Sequence, residues 1–245
     1  DSAAREAPHA WLAPLGHGGD DAGPRLLDVA RDTLVVGPPG SGRSTVLGIL
    51  ARHAARLGPV LVVGSCPPPT AGRQAADEDG DALRGGGTDD ATVVVPMTPE
   101  GLASVPDLVT GGGWTLVVDD ADVLARLLPV EHDRLAALPG VARCLVAATT
   151  ASVTLASRGL LARVRAARHG VVLDPGRPGA ADVLATEVAH VVEPGPCAPG
   201  RGALVVDGRA ELVQCRPPDG LVQCRPPDAH PARRDRPRGV TVPEA

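Results

Sequence analysis

The run Gly37–Thr45, GPPGSGRST, constrains the fold of this chain more than any other segment. It matches the phosphate-binding loop pattern G-x-x-x-x-G-K-[ST] except at one position, where Arg43 replaces the lysine. Apolar residues 34–36 precede the run as a buried strand does, and residues 46–50 follow it as the first turns of a helix do. A glycine-rich loop in this context predicts a nucleotide site rather than a chance turn.

The residues of this loop have separate predicted tasks. Backbone N–H groups and the N-terminus of the following helix bind phosphate oxygens, and glycines allow their close approach. Ser44 lies where a hydroxyl ligand of Mg²⁺ belongs, and Arg43 lies where a lysine contacts the β- and γ-phosphates. Because the planar fork of arginine is not equivalent to lysine at a tight site, we expect nucleotide binding with impaired positioning of the γ-phosphate. The predicted nucleotide-binding residues are Gly37, Pro38, Pro39, Gly40, Ser41, Gly42, Arg43, Ser44 and Thr45.

Two acidic residues complete the predicted site. Apolar residues 116–118 read as a strand that ends at Asp119 and Asp120. A phosphate-binding loop requires an acid on a neighbouring strand to hold Mg²⁺ through water, and Asp119 is the candidate. Asp120 stands where a catalytic glutamate often polarises the attacking water, although aspartate is one methylene shorter. In the alternative interpretation both acids cap the helix that follows, and the two interpretations are compatible.

Two further groups of residues leave a functional and a structural interpretation open. Thr149 and Thr150 follow a predicted strand and can sense the γ-phosphate, although a threonine there is more often a cap or turn residue. A basic helix predicted over residues 153–167 can supply an arginine finger to a neighbouring nucleotide, or it can present a solvated face, which we favour. The arginines concerned are Arg158, Arg163, Arg165 and Arg168.

Short apolar runs that alternate with helical segments predict the fold class. The expected strands are 33–37, 60–63, 92–95, 115–118, 144–148 and 171–173. The expected helices are 42–56, 102–109, 123–138 with an interruption near Pro129, and 153–167. This alternation is typical of an α/β fold with a mainly parallel sheet and helices on both faces. An Asp207-Gly208 turn between apolar residues 203–206 and 210–214 predicts a C-terminal β-hairpin.

Composition divides the chain into segments. Residues 1–30, rich in Pro, Gly, Ala and Asp, are interpreted as a leading segment, and residues 31–216 as the nucleotide-binding domain. Within this domain, polar residues 66–90 are expected to form a flexible surface insertion. The sequence LVQCRPPD occurs twice in succession, so residues 217–245 hold the second copy and an Arg- and Pro-rich tail that we expect to be disordered.

Composition and charge also narrow the possible functions. The 245 residues include no Lys, Phe, Tyr or Asn, which indicates a GC-rich, actinobacterial genome, and the formal net charge is −5. An acidic chain almost without aromatic residues is a weak candidate for direct DNA binding. No apolar run approaches the roughly 20 residues of a membrane helix, which predicts no direct membrane insertion. Five scattered cysteines without metal-binding spacing indicate a reduced, cytosolic protein, and the single methionine, Met97, suggests a piece of a longer chain.

The order of these motifs resembles the ATPase domains of the FtsK/SpoIIIE family. The segments that carry the resemblance are PLGHGGDD at 14–21, the phosphate loop, VVDDADVL at 117–124, GVVLDP at 170–175 and PGRG at 199–202. They are most similar to the C-terminal, degenerate domain of actinobacterial members, which include EccC-like proteins of type VII secretion. The similarity covers about residues 12–216.

The resemblance implies several properties that the residues alone do not show. It implies a RecA-like P-loop NTPase fold that binds ATP with Mg²⁺. It also implies sister ATPase domains or a homo-oligomeric ring, and a parent protein that moves DNA or a secreted protein substrate. The location that it implies is the cytoplasm, at the inner face of the membrane through the parent protein.

Three functions remain open from the sequence. The favoured one is an ATP-binding domain of a DNA translocase or type VII secretion ATPase, with hydrolysis weak or lost because of Arg43. The alternative is a pseudo-ATPase that acts as a docking or regulatory module for a partner protein or for sister ATPase domains. An unrelated P-loop ATPase or kinase is less favoured, because the sequence shows no lid signature.

Overall fold

The computed structural model of the chain describes residues 10–64, 92–191 and 197–216. The strands are β1 (Leu12–Gly18), β2 (Gly23–Asp28), β3 (Thr33–Val36), β4 (Val60–Val63), β5 (Thr92–Val95), β6 (Trp114–Val118), β7 (Val141–Ala148), β8 (Gly170–Leu173), β9 (Arg201–Val206) and β10 (Arg209–Cys215). The helices are α1 (Arg43–Ala55), α2 (Pro99–Ala103), α3 (Val105–Leu108), α4 (Ala121–Leu127), α5 (Pro129–Ala136), α6 (Thr150–Leu155), α7 (Gly159–Ala166) and α8 (Ala180–Val183), with a short 3₁₀ helix at Ala189–Val191.

All of these strands join one sheet in the order β2-β1-β10-β9-β8-β3-β7-β6-β4-β5. The stretch from β8 to β5 is parallel throughout, and β9, β10, β1 and β2 extend it with antiparallel pairs. The parallel strands are short, apolar and buried, as strands covered on both faces must be. The predicted α/β class with a mainly parallel sheet is therefore confirmed.

Helices cover both faces of the sheet, as the alternation of side chains along β3 shows. Leu34 and Val36 belong to one apolar core, which is closed mainly by α4, α5 and α7. Val35 points the other way, into a core that it shares with Leu47 and Leu50 of α1. Since successive side chains of a strand point to opposite faces, one short strand contributes to both layers.

Several local predictions match the observed elements closely. The strands β4 and β5 have the predicted bounds, and Pro129 separates α4 from α5 where an interruption was expected. The C-terminal hairpin also forms, with Asp207 at φ 49° and Gly208 at φ 77°. Two successive positive φ values define the type I′ turn that an Asp-Gly pair favours, because its twist matches the flanking strands.

The prediction of one continuous helix over residues 153–167 is wrong. The structure has two helices, α6 and α7, separated by Ala156–Arg158. Ala156 is extended and Gly159 has φ +69°, so the backbone changes direction before α7 begins. A glycine allows this left-handed conformation at little cost, which is why the helical pattern of the side chains did not reveal the break.

Residues 12–28 contain two strands that the sequence analysis did not predict. In β1 the alternating residues Ala13 and Leu15 are buried against α1, so that the β1–β2 ribbon covers the outer side of that helix. The proline and glycines around these residues weaken the period-two pattern that normally marks a strand. The expected insertion at 66–90 and the second repeat and tail at 217–245 lie outside the described residues.

None of the helices within the described ranges has the length and apolar character that crossing a lipid bilayer requires.

A buried histidine connects α5 to α7. His132 is 5% exposed, and its Nε2 accepts a hydrogen bond of 3.2 Å from the backbone N–H of Leu161. Its Nδ1 faces Asp133 Oδ1 at 3.4 Å. Burial lowers the pKa of His132 below its ordinary value, although the hydrogen bond to Asp133 acts in the opposite direction. The folded chain therefore favours the neutral ring.

We expect the free energy of unfolding to fall as the pH drops below about 6.5, the ordinary histidine pKa. Below that pH the unfolded chain binds a proton that folded His132 still excludes, and each such pH unit removes about 1.4 kcal/mol. Urea unfolding at pH 7.5 and 5.5 measures the effect. The wild type should lose on the order of 1 kcal/mol more than His132→Gln. Equal losses in the two proteins would contradict the prediction.

Candidate nucleotide site

The predicted phosphate loop lies between β3 and α1, at the carboxyl end of the parallel strands. Gly40 has φ +80°, and Gly42, which precedes α1, has φ +98°. Among the described residues no side chain caps α1, and its first turn carries no acidic residue. The first N–H groups of this thirteen-residue helix are therefore not used by a cap and carry the partial positive charge of a helix N-terminus.

The loop has the space and the unused polar atoms that a phosphate group needs. A Cβ added at Gly40 would meet no atom of the described residues within 4 Å, so the loop is open on that side. Ser41 Oγ is buried and has no hydrogen-bond partner among the described residues. The open side, the orphaned hydroxyl and the uncapped helix fit a bound anion.

The C-terminal hairpin holds the phosphate loop from one side. The backbone N–H of Gly200 donates to the carbonyl oxygen of Ser41 at 2.8 Å, and a Cβ at Gly42 would lie 3.2 Å from the Gly200 nitrogen. Gly200 itself has φ +79° and accepts a hydrogen bond from Cys215 N–H at 2.8 Å. This contact was not predicted, although the two glycines of PGRG at 199–202 are a signal for a close backbone approach.

The two predicted acids are farther along the sheet than expected. They follow β6, and β7 separates β6 from β3, so the expectation of a strand directly beside the loop is wrong. The carboxyl ends of all three strands still meet at one edge, because the strands are parallel. Asp119 is 2% exposed, and its Oδ1 accepts a hydrogen bond from Asp120 N–H at 3.0 Å.

The most informative contact of the site joins the loop to these acids. Arg43 Nη2 donates to Asp120 Oδ1 at 3.1 Å, and Arg43 Nη1 lies 4.0 Å from Asp122 Oδ1. The arginine side chain is only 10% exposed. Its guanidinium therefore occupies the space between α1 and the end of β6 and forms ion pairs with carboxylates of this chain.

Asp120 holds the N-cap position of α4 but does not cap it with its side chain. Its backbone is left-handed, at φ 48°, and its carboxylate pairs with Arg43 instead. Burial raises the pKa of Asp120, and the charge of Asp119 adds to the rise. Arg43 acts against this rise, while Asp122 adds to it. The expected proton-accepting residue is thus already engaged by a cation.

Thr149 lies between the loop and the acids, at the end of β7. Its Oγ1 is 3.2 Å from Asp122 Oδ2 and 2.9 Å from Ser152 Oγ. Thr149 occupies the N-cap position of α6 without a side-chain bond to the helix backbone, and Thr150 is the first residue of that helix. The Thr149 hydroxyl is therefore linked through Asp122 to Arg43. A role of Thr149 or Thr150 in sensing the γ-phosphate stays a prediction.

The basic residues near α7 are largely used within the chain. Arg163 binds Asp32 through Nε at 2.8 Å and donates from Nη1 to the Ala136 carbonyl at 3.0 Å. Arg158, which is 80% exposed, pairs with Asp133 at 3.3 Å. Arg165 donates to the Thr154 carbonyl at 3.1 Å, and Arg168 is exposed. These contacts favour the structural interpretation over an arginine finger.

The oxygen atoms at the site also suit a magnesium ion. Ser44 is exposed on the first turn of α1, and Asp119 ends β6 at the same edge of the sheet. Hydroxyl and carboxylate oxygens are hard ligands, which Mg²⁺ prefers in nucleotide sites. The residues present therefore fit both a phosphate chain and its metal.

Comparisons with known proteins support the fold. No protein family and no curated protein matches the sequence. Among solved structures, the cytoplasmic domain of EssC aligns with a TM-score of 0.58 at 13% identity, over 88% of this chain and 46% of that one. EccC (ATPases 2 and 3) from Thermomonospora curvata, in complex with a signal sequence peptide, aligns with a TM-score of 0.54 at 18% identity, over 87% and 42%.

A third similar structure is the pCW3 conjugation coupling protein TcpA with ATPγS, with a TM-score of 0.52 at 13% identity. It aligns over 89% of this chain and 68% of that one. The chain spans less than half the length of the EssC and EccC structures. The expected resemblance to type VII secretion ATPase domains is confirmed at the level of the fold.

Proposed function

We propose that this chain is a nucleotide-binding domain of an FtsK/SpoIIIE-type DNA translocase or a type VII secretion ATPase, with weak or lost hydrolysis. The contact of Arg43 with Asp120, at 3.1 Å, carries the proposal. The loop glycines, Ser44 and Asp119 keep the features that bind ATP and Mg²⁺. In contrast, Arg43, the cation of the loop, and Asp120, the acid that would orient water, form an ion pair with each other.

Each residue of the site has a definite part in this proposal. Backbone N–H groups of the loop and of the N-terminus of α1 hold the phosphates, and Ser44 and Asp119 hold Mg²⁺. The bound metal would neutralise phosphate charge. The hydrogen bond from Arg43 engages one carboxylate oxygen of Asp120, so that this oxygen is directed at the arginine and not at a water molecule. Nucleotide binding and slow hydrolysis are therefore compatible in one site.

We infer the partners of this chain by analogy with the EssC and EccC structures. The EssC and EccC structures contain more chain than this domain, and EccC is in complex with a signal sequence peptide. By analogy, this chain works beside sister ATPase domains or in a homo-oligomeric ring. Its parent protein then moves DNA or a secreted protein from the cytoplasmic face of a membrane.

A titration followed by a phosphate-release assay tests this function. We expect wild-type protein to bind MgATP with a dissociation constant in the micromolar to millimolar range, and to release phosphate far more slowly than about 1 s⁻¹. Arg43→Lys should hydrolyse ATP faster, because a lysine matches the phosphate position better than the planar fork. The matched control is Arg43→Ala, which removes the cation and should not gain activity.

The possible results separate the parts of the proposal. Turnover near 1 s⁻¹ or faster by wild type would show that hydrolysis is not impaired. Failure of the folded wild type to bind ATP would overturn nucleotide binding itself.

The alternative, a pseudo-ATPase that docks a partner protein, is favoured by one surface. Leu127, Val130 and Leu155 are 64%, 72% and 83% exposed. Pro129, which lies between the first two in the chain, lines a cavity of about 320 Å³ together with Leu155. Exposed apolar side chains beside a cavity are typical of binding surfaces. If Leu155→Glu weakens binding to sister domains of the parent protein without changing ATP affinity, docking is a separate function of this domain.

A further inference from the structure

We propose that this site binds a nucleoside diphosphate as tightly as a triphosphate, because Arg43 is held by carboxylates and adds nothing to recognition of the γ-phosphate. The inference rests on the proposed nucleotide binding and specifies the ligand class of the same site. It concerns Arg43 as a specificity-determining residue. A lysine in this position normally reaches the β- and γ-phosphates, which favours the triphosphate.

The guanidinium of Arg43 is largely shielded from solvent and is held by carboxylates. Arg43 joins residues 77 positions later in the chain, through a hydrogen bond of 3.1 Å to Asp120 and a charge contact of 4.0 Å to Asp122. Arg43 Nη1 and Asp122 Oδ1 are buried and have no hydrogen-bond partner among the described residues. The Arg43 guanidinium and the Asp122 carboxylate therefore face each other instead of water. Charge pairs with little solvent around them are stronger than exposed ones.

Movement of Arg43 toward a γ-phosphate would cost free energy, because it breaks the ion pairs of Arg43 with Asp120 and Asp122. If Arg43 stays in place, the γ-phosphate finds no cation from the loop. If Arg43 turns toward the nucleotide, Asp120 and Asp122 lose a neutralising partner while another negative group arrives beside them. Like charges at short range repel, so this repulsion offsets the attraction that Arg43 would supply.

Binding of the phosphates nearest the loop, which a diphosphate and a triphosphate share, does not require Arg43. Within residues 10–64, 92–191 and 197–216, the loop is open at Gly40, the Ser41 hydroxyl has no partner and no side chain caps α1, and none of these features involves the side chain of Arg43. Such features bind the phosphates nearest the loop, which a diphosphate also carries. The structure therefore separates binding of the phosphate chain from recognition of its terminal group.

Calorimetric titration of the wild-type chain with MgADP and with MgATP tests the inference directly. We expect the two dissociation constants to agree within about threefold. A preference for ATP of tenfold or more, equivalent to about 1.4 kcal/mol, would overturn it.

A set of variants assigns the effect to the carboxylates. In Asp120→Asn/Asp122→Asn the charges that hold Arg43 are removed, and asparagine tolerates the left-handed backbone of residue 120. We expect this variant to prefer ATP by about tenfold, since Arg43 becomes available to the γ-phosphate. Adding Arg43→Ala to the double variant should abolish the preference, whereas Arg43→Ala alone should create no preference for ATP, because Asp120 and Asp122 then face the γ-phosphate without a cation. This comparison isolates the coupling between the residues.

The outcomes separate this inference from the function on which it rests. A folded wild type that binds neither nucleotide contradicts both. A wild type that binds both nucleotides but prefers ATP contradicts only the inference, as does a double variant whose ratio stays at the wild-type value. Circular dichroism and thermal melting establish whether each variant folds. If the double variant is unfolded, Asp122→Asn alone replaces it, and we expect a smaller shift of the ratio in the same direction.

Discussion

Replacement of Gly170 by alanine should destabilise the folded chain by about 3 kcal/mol or more. Gly170 is the first residue of β8 and lies opposite Leu34 of β3. Its φ is +154°, and an added Cβ would fall inside the contact distance of the Leu34 carbonyl oxygen. Backbone atoms cannot rotate away as a side chain can, so the two strands must separate and lose hydrogen bonds of the ladder.

The same substitution elsewhere in the chain provides the control. Gly176→Ala adds a methyl group where no atom from the described part of the chain lies within 4 Å, and its effect should stay within about 0.5 kcal/mol. Urea unfolding followed by circular dichroism measures both variants. Since β3 leads into the phosphate loop, Gly170→Ala should also weaken ATP binding. Equal unfolding midpoints for the two variants would contradict the close approach of β8 to β3.

Asp32→Ala should cost about 2 to 4 kcal/mol, because one carboxylate joins three elements. Asp32 precedes β3 and accepts a hydrogen bond of 2.7 Å from Cys144 N–H in β7. It also accepts two hydrogen bonds from Arg163 of α7, at 2.8 Å from Nε and 3.2 Å from Nη2. Without the carboxylate, a part-buried backbone donor and a part-buried guanidinium lose their partner together.

A conservative variant separates the charge from the hydrogen bonds. Asp32→Asn keeps an oxygen acceptor for Cys144 but removes the negative charge that faces Arg163. The free energy of unfolding of Asp32→Asn should therefore lie between those of wild type and Asp32→Ala, on the order of 1 kcal/mol below wild type. Denaturant unfolding of both variants tests this order. If Asp32→Ala unfolds within about 0.5 kcal/mol of wild type, Asp32 is not the link between β3, β7 and α7.

Sequence patterns predicted those parts of the fold that depend on neighbouring residues. The strands β4 and β5 were found with their bounds, because each is a short apolar run between polar segments. The glycine-rich loop between β3 and α1 and the Asp207-Gly208 turn were predicted correctly as loops, because each requires particular residues at particular backbone angles. In contrast, a left-handed glycine hid the break between α6 and α7, and proline and glycine hid β1 and β2.

The sequence by itself predicted a phosphate-binding loop with arginine in place of lysine, and acids after a later strand. Only the tertiary structure decided what that arginine does. The order of the strands brings Asp120 and Asp122 to Arg43, and the hairpin brings Gly200 onto Ser41. These contacts join residues far apart in the chain. They depend on how the sheet assembles, and no local pattern contains that information.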